Sequence, residues 1–239
     1  MDIVNIAQVE PTQIYDLYVN SFKDPFRDEK MTNRLKEVGV SGKIYQFTEN
    51  DPRSQEVLRI GNHDFHAGHY GNFYSMMRII EDFYYHSDKE YAVILEHDVF
   101  LKKSLAYDLP KACLMLDKLN LDVLLIGMLL TCSPEQMGYE KVHEEDTYKY
   151  YNFPDDLWGS HGFIINKKHA KYFIDKYTLE EVAKTINVGG DWIFTKIGKK
   201  LLQFPPLVVE EGEVKTTNFA HIKFHLDCRN YLYNSNYTS

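Results

Sequence analysis

Apolar positions change period along this chain, and the changes divide it into elements. "IYDLYVNSF" (14–22) is rich in β-branched and aromatic residues and predicts a first strand. "RDEKMTNRLKEVGV" (27–40) places Met31, Leu35 and Val38 at helical spacing and stops at Gly39, as a helix C-terminus does. "GKIYQFTE" (42–49) predicts a second strand. After a polar segment, Phe73, Met76, Met77, Ile80, Phe83 and Tyr84 form one apolar stripe, which predicts a helix over 73–86 with Asn72 as its N-cap. "YAVIL" (91–95) and "DVLLIGMLL" (122–130) are unbroken apolar runs, the pattern of strands covered on both faces. Between them "LPKACLMLDKLN" (109–120) predicts a helix with Pro110 in its first turn. Regularity fails from Ser133 to Asp156, which is acidic, Tyr-rich and without period, and a functional lid or a disordered stretch is expected there. "GFIIN" (162–166) restores a strand, 167–177 and 179–186 read as helices, and "GGDWIFTKIGKKL" (189–201) as a loop running into a helix. "PLVVEE" (206–211) predicts a last strand before a polar tail. This order predicts an α/β fold with a mainly parallel central sheet flanked by helices, one domain over 1–239.

Composition narrows the partners. Lys and Arg number 27 against 35 acids, giving a net charge of -8 and a pI near 5.7. No basic field exists to hold a nucleic-acid backbone, so nucleic acid is not an expected partner. A smaller anion such as a diphosphate needs only a metal ion or a few local cations. No apolar window approaches the roughly 20 residues that cross a bilayer, and the start has no basic region leading into an apolar one. A soluble, cytoplasmic protein without a transmembrane segment is the expectation. Cys113, Cys132 and Cys228 are odd in number and scattered, as reduced thiols are.

Candidate chemistry begins where the fourth apolar run ends. In "VILEHDVFL" (93–101), Glu96, His97 and Asp98 follow a buried strand immediately, and ligands of open α/β sheets sit outside the carboxyl ends of strands. Two acids two residues apart project the same way in extended backbone. Such a pair suits a hard divalent cation, Mg2+ or Mn2+, which in turn holds a nucleotide diphosphate. A strand ending in solvated acids is the plainer alternative. "EVGVSGKI" is not a phosphate loop, because Glu37 stands for its first glycine and Ile44 for its Ser/Thr.

The segment "FYSMMRIIEDFYYHSDKEYAVILEHDVFLKKSL" resembles family 25 glycosyltransferases, in which a Ser/Arg-bearing helix precedes a strand ending in a D-x-D-like motif. "WGSHGFIINKKHAKYFID" is similar to that family's Gly-(Ser/Thr)-His strand, "VGGDWIFTKI" to its Val-Asp-Trp segment, and "YVNSFKDPFRDEKM" to its opening strand and Arg-containing turn. Transferases of large algal viruses that act on capsid glycans show a similar order. The resemblance implies a Rossmann-like GT-A fold, with a nucleotide-binding half over about 1–131 and an acceptor-side half over about 132–239. It also implies a UDP- or GDP-sugar donor, a glycan acceptor and Mn2+ or Mg2+, with Glu96 and Asp98 in the D-x-D role. If the chain is viral, the host cytoplasm is its compartment. Glu96 in place of the usual first Asp, and His97 between the acids, are departures.

Further candidates follow from these segments. Arg27, in the Arg-containing turn, is a donor-binding candidate. Arg78 lies one turn beyond Ser75, so both can face one groove and steady the nucleotide. His161 in "GSHGF" is a candidate contact to donor or acceptor. His221 and His225, in the tail, are candidates for a late metal or diphosphate contact. Asp191 follows two glycines at the mouth of a predicted helix; it either caps that helix or serves as the general base of an inverting transfer. Trp158 and the tyrosines 148, 150 and 151 are candidates to stack on sugar rings. The rival readings are a non-catalytic nucleotide-sugar or carbohydrate-binding protein and a metal-dependent phosphoester hydrolase.

Overall fold

The computed structural model describes residues 2–5, 13–22, 24–47, 52–61, 67–154, 159, 161–184, 193–195, 197–212 and 219–239. β1 (Asp2–Asn5) and β2 (Tyr15–Phe22) lead to α1 (Pro25–Glu37) and β3 (Lys43–Phe47). Local chemistry fixes both ends of α1. Asp24 accepts the backbone amides of Phe26 at 3.2 Å and Arg27 at 3.3 Å, and Pro25 occupies the first helical position, where no N–H is needed. At the other end Val40 N–H reaches the Leu35 carbonyl at 3.0 Å and Gly39 N–H the Lys36 carbonyl at 3.2 Å. Gly39 has φ +69°, which a side chain would resist, so the helix stops where the sequence predicts.

The chain continues through α2 (Pro52–Gly61), α3 (Ala67–His86), β4 (Tyr91–Glu96), β5 (Val99–Leu101), α4 (Leu105–Lys118) and β6 (Val123–Gly127). Then come β7 (Lys141–Glu145), β8 (Tyr148–Tyr151), β9 (Gly162–Asn166), α5 (Lys167–Lys176) and α6 (Leu179–Lys184). β10 (Lys200–Phe204), β11 (Val208–Glu210) and a last helix, α7 (Phe219–Leu232), complete the described elements. Three expectations are corrected here. Asn72 lies inside α3 and bonds Asn20 across the interface instead of capping the helix. Pro110 sits in the interior of α4, which begins five residues earlier. The period-free stretch from Ser133 contains a hairpin, β7–β8, turned at Asp146 with φ +53°.

Nine strands form one sheet in the order β1-β3-β2-β4-β9-β6-β10-β8-β7, and β5 pairs with β11 apart from it. The fold is α/β, with a large mixed sheet flanked by helices. Only β2–β3, β2–β4 and β6–β10 are parallel neighbours, because β9 inserts antiparallel between β4 and β6. The strands β2, β3, β4, β6 and β10 nevertheless point one way, and their carboxyl ends share one side of the molecule. Alternating side chains split the core in two. Leu17, Val19, Val93 and Leu95 pack with α1 and α4, while Tyr18, Ile94 and Phe163 pack with α3 and α5. Among the described residues, no helix is long and apolar enough to cross a membrane.

From β2 the chain moves outward through α1 to β3, then returns through α2 and α3 to β4 on the other side of β2. The strand order therefore reverses at β2, and the space outside the carboxyl ends of β2 and β4 is the crevice position at which open α/β sheets bind ligands.

Candidate ligand site

Near their carboxyl ends β2 and β4 carry polar residues that face each other in register, with Asn20 opposite Glu96. On the α1 side of the sheet, Ser21 donates its hydroxyl proton to Asp28 Oδ1 at 2.5 Å, and Gln46 donates to Asp28 Oδ2 at 2.6 Å. His97 Nδ1 lies 2.9 Å from Ser21 Oγ. Since Ser21 has spent its one proton on the carboxylate, the hydrogen in this second contact comes from His97 Nδ1–H, and the network assigns Nε2 as the bare nitrogen. Burial pushes the His97 imidazole below the ordinary histidine range, and the Arg27 guanidinium adds to that against the pull of Asp98, Asp28 and Asp24. A neutral imidazole with a lone pair on Nε2 can accept a hydrogen bond or ligate a cation.

Asp98 behaves differently from the spacing argument. The backbone bends at His97 and Asp98, so extended geometry does not carry Asp98 to the side of Glu96. Its carboxylate instead accepts Arg27 Nη1 at 2.7 Å through Oδ2. Among the described residues, Asp98 Oδ1 has no hydrogen-bond partner. The same pair places Arg27, held by its helix-capping turn, at the crevice.

Across the sheet, Ser75 of α3 is buried and donates to Asn20 Oδ1, and Asn20 Nδ2 donates to Asn72 Oδ1 at 2.7 Å. Ser75 thus supports Asn20 and does not line the crevice. Arg78 is exposed and acts on Tyr45 of β3, opposing the rise that burial gives that phenol. The two do not share a groove.

His161 is 2 % exposed, and its backbone carbonyl accepts the Glu96 N–H at 3.1 Å, so it abuts the crevice at the β4–β9 boundary. A Cβ placed on Gly127 would lie 2.9 Å from its Cδ2, and one on Gly159 the same distance from its Cε1. Glycine at both positions makes room for the ring. Nε2, bonded to both those carbons, points between the two glycines and has no partner among the described residues. An unpaired nitrogen this deep is costly unless a ligand or water satisfies it.

The tail is drawn to the same end. Glu211 N–H donates to the Asp98 carbonyl at 2.8 Å, and β11 pairs Glu210 with Val99. Glu210 Oε2 lies 2.6 Å from Nδ1 of buried His225, whose ring is 4.5 Å from that of His221. Asp191 and Trp158 lie outside the described residues. Just beyond Asp191, Phe194 stacks on Phe73 of α3 at 5.4 Å, which anchors residues 193–195 on the α3 side. The tyrosines 148, 150 and 151 are buried, with Tyr148 donating to Asp108 at 2.5 Å, so they are not available to stack on a sugar.

Asn20, Ser21, Asp28, Gln46 and Asn72 were not legible as site residues. Only "NS" at the end of the apolar "LYV" carried the signal that singled out "EHD", a polar pair where a buried strand ends.

Among the described residues, no group of three or more His, Cys, Asp or Glu side chains could by itself hold a metal ion. A Mg2+-type site does not need one, since one or two carboxylates plus ligand phosphates and waters complete it. Among the described residues, Asp98 Oδ1 is an oxygen open to such a role. No protein-family model matches the chain, and no curated protein matches it at a significant level.

Proposed function

We propose that this chain is a metal-dependent glycosyltransferase of the GT-A type that moves a hexose from a nucleotide-diphosphate sugar to a glycan hydroxyl with inversion. The observation that supports this reading is the Asp98–Arg27 pair at the topological switch: a carboxylate with one oxygen unengaged beside a guanidinium, at the crevice where a diphosphate would lie. Mn2+ or Mg2+ held by Asp98, with phosphate oxygens and waters completing its shell, would offset charge on the departing diphosphate. Arg27 supplies fixed positive charge to the same group, and it can do so without leaving Asp98. His97 Nε2 accepts a hydrogen bond from a sugar hydroxyl and helps to orient the ring, and the buried His161 lies behind it at the β4–β9 boundary. His225, its Nδ1 fixed by Glu210, and His221 close the crevice from the tail side. Asp191 takes the proton from the attacking hydroxyl.

One observation favours a second reading. Asp98 is already ion-paired, as in a site that binds an anion without turnover, so a nucleotide-sugar-binding protein is the runner-up. A transfer assay decides. Nucleotide sugars incubated with Mn2+ should release nucleoside diphosphate faster when a glycan acceptor is present. Asp191→Asn, which keeps shape and capping ability but cannot take a proton, should slow transfer by about 10²–10⁴-fold while donor affinity holds. Binding without release would establish the runner-up, and release at full speed without acceptor would make the chain a hydrolase.

A further inference from the structure

The α3 side of the crevice contains a directional hydrogen-bond chain and, beside it, an exposed aromatic ring. Ser75 has one hydroxyl proton and gives it to Asn20 Oδ1. That fixes the Asn20 amide with its NH2 toward Asn72, where Nδ2 donates to Asn72 Oδ1 at 2.7 Å. Asn72 is therefore turned with its own NH2 outward. The residue is half-buried, and among the described residues this NH2 has no acceptor. Two residues beyond Asn20 on the same face of β2, Phe22 is 37 % exposed, and its ring meets Phe47 edge-on at 4.9 Å. These two phenylalanines are the last register pair of β2 and β3. Phe47 is buried and holds Phe22 from one side, and Phe22 stays exposed at the carboxyl end of β2.

We propose that Phe22 and Asn72 form a subsite for a planar nucleobase that carries ring carbonyls, uracil or guanine. The ring stacks on Phe22, and the Asn72 NH2 donates to a carbonyl oxygen. A free asparagine amide pairs with adenine through both its oxygen and its nitrogen, but here the oxygen is already engaged by Asn20, so that bidentate contact is closed. Ser75 is a positioning residue: it never meets the ligand, and it sets which end of the amide does. This inference rests on the reading of the crevice as a nucleotide-diphosphate site and names the base that site selects.

Titration calorimetry of the full chain in Mn2+ buffer, with uridine, guanosine and adenosine diphosphates and with inorganic diphosphate, tests it. Uridine or guanosine diphosphate should bind about tenfold or more tightly than inorganic diphosphate, the usual weight of a stacked base, with adenosine diphosphate between. Phe22→Ala and Asn72→Asp should each remove most of the advantage while inorganic diphosphate affinity stays at its wild-type value. Ser75→Ala should narrow the ratio several-fold; a merely structural serine would lower the melting temperature and leave the ratio alone. A base advantage that survives both Phe22→Ala and Asn72→Asp overturns the subsite, as does a nucleotide that binds no better than inorganic diphosphate. If none of the four binds, the nucleotide reading of the whole crevice falls with it.

Discussion

Two polar networks lie at opposite ends of this sheet and differ in how they finish. Around Asp108, the Tyr148 and Ser104 hydroxyls both donate to Oδ2 at 2.5 Å, and Lys102 reaches both Tyr148 and the carboxylate, at 3.3 Å from the latter. Every strong donor there ends on a partner within the network, which joins β8 to α4. At the crevice the chains run from Asp28 through Ser21 to His97, and from Ser75 through Asn20 to Asn72, and among the described residues each ends in an unengaged atom: a lone pair on one side and an NH2 on the other. A closed network contributes stability. An open one leaves oriented atoms that a ligand or water can complete.

The largest expected effect belongs to a third, closed cluster. Glu211 is buried and ion-paired to Arg34 and, at 3.1 Å, to Lys30, with Arg34 also donating to the Val99 and Ser239 carbonyls at 3.0 Å. Burial works to raise the Glu211 carboxyl, and Arg34 and Lys30 outweigh it and hold it low. Arg34→Ala strands that charge and should cost about 3–5 kcal/mol in urea unfolding. Because Glu211 N–H holds the Asp98 carbonyl, ligand affinity should fall as well.

His169 gives a pH test away from the crevice. Burial lowers its imidazole to about 4, so folding favours the neutral form. The stability it contributes is complete above the unfolded value near 6.5 and is lost as pH falls from there towards 4. The difference between wild type and His169→Phe should shrink or reverse by as much as about 2–3 kcal/mol between pH 7 and pH 4.5. A pH-independent difference would mean that the ring is hydrated.

Smaller effects sharpen the comparison. Tyr148→Phe removes one of the donors to buried Asp108 and should cost about 1–2 kcal/mol, with ligand affinity unchanged. Ser21→Ala should cost about 1 kcal/mol of stability yet lower donor affinity several-fold, because His97 loses the partner that sets its tautomer. Should both variants affect affinity equally, the distinction between closed and open networks fails.

The opening strand, helix and strand, together with β4, β6 and β9, were legible because burial on one or both faces imposes a period on the sequence. The hairpin was not. β7 is an exposed edge strand of Lys, His and Glu, polar in order to blunt pairing, and its turn uses Asp146-Thr147 where the familiar signal is Asn-Gly. β10 was hidden in "IGKKLLQF", whose apolar spacing also fits a helix, and α7 in a segment with no amphipathic stripe. At the site, "EHD" was visible as an acidic interruption. Its partners were not, because Ser21 and His97 are 76 residues apart and Asn20 and Asn72 are 52 apart, and nothing local marks them as neighbours. The expected common direction of Glu96 and Asp98 failed at the bend after β4, where Arg27 draws Asp98 towards α1.

The central claim is that the crevice at β2 and β4 holds a nucleotide-sugar diphosphate through Asp98. Calorimetric titration of a nucleotide sugar with and without Mn2+, on wild type, Asp98→Asn and Tyr148→Phe, tests it most directly. Wild type and Tyr148→Phe should bind in a metal-dependent way, with affinity at least about tenfold weaker in Asp98→Asn. Wild-type, metal-dependent affinity in Asp98→Asn would contradict it.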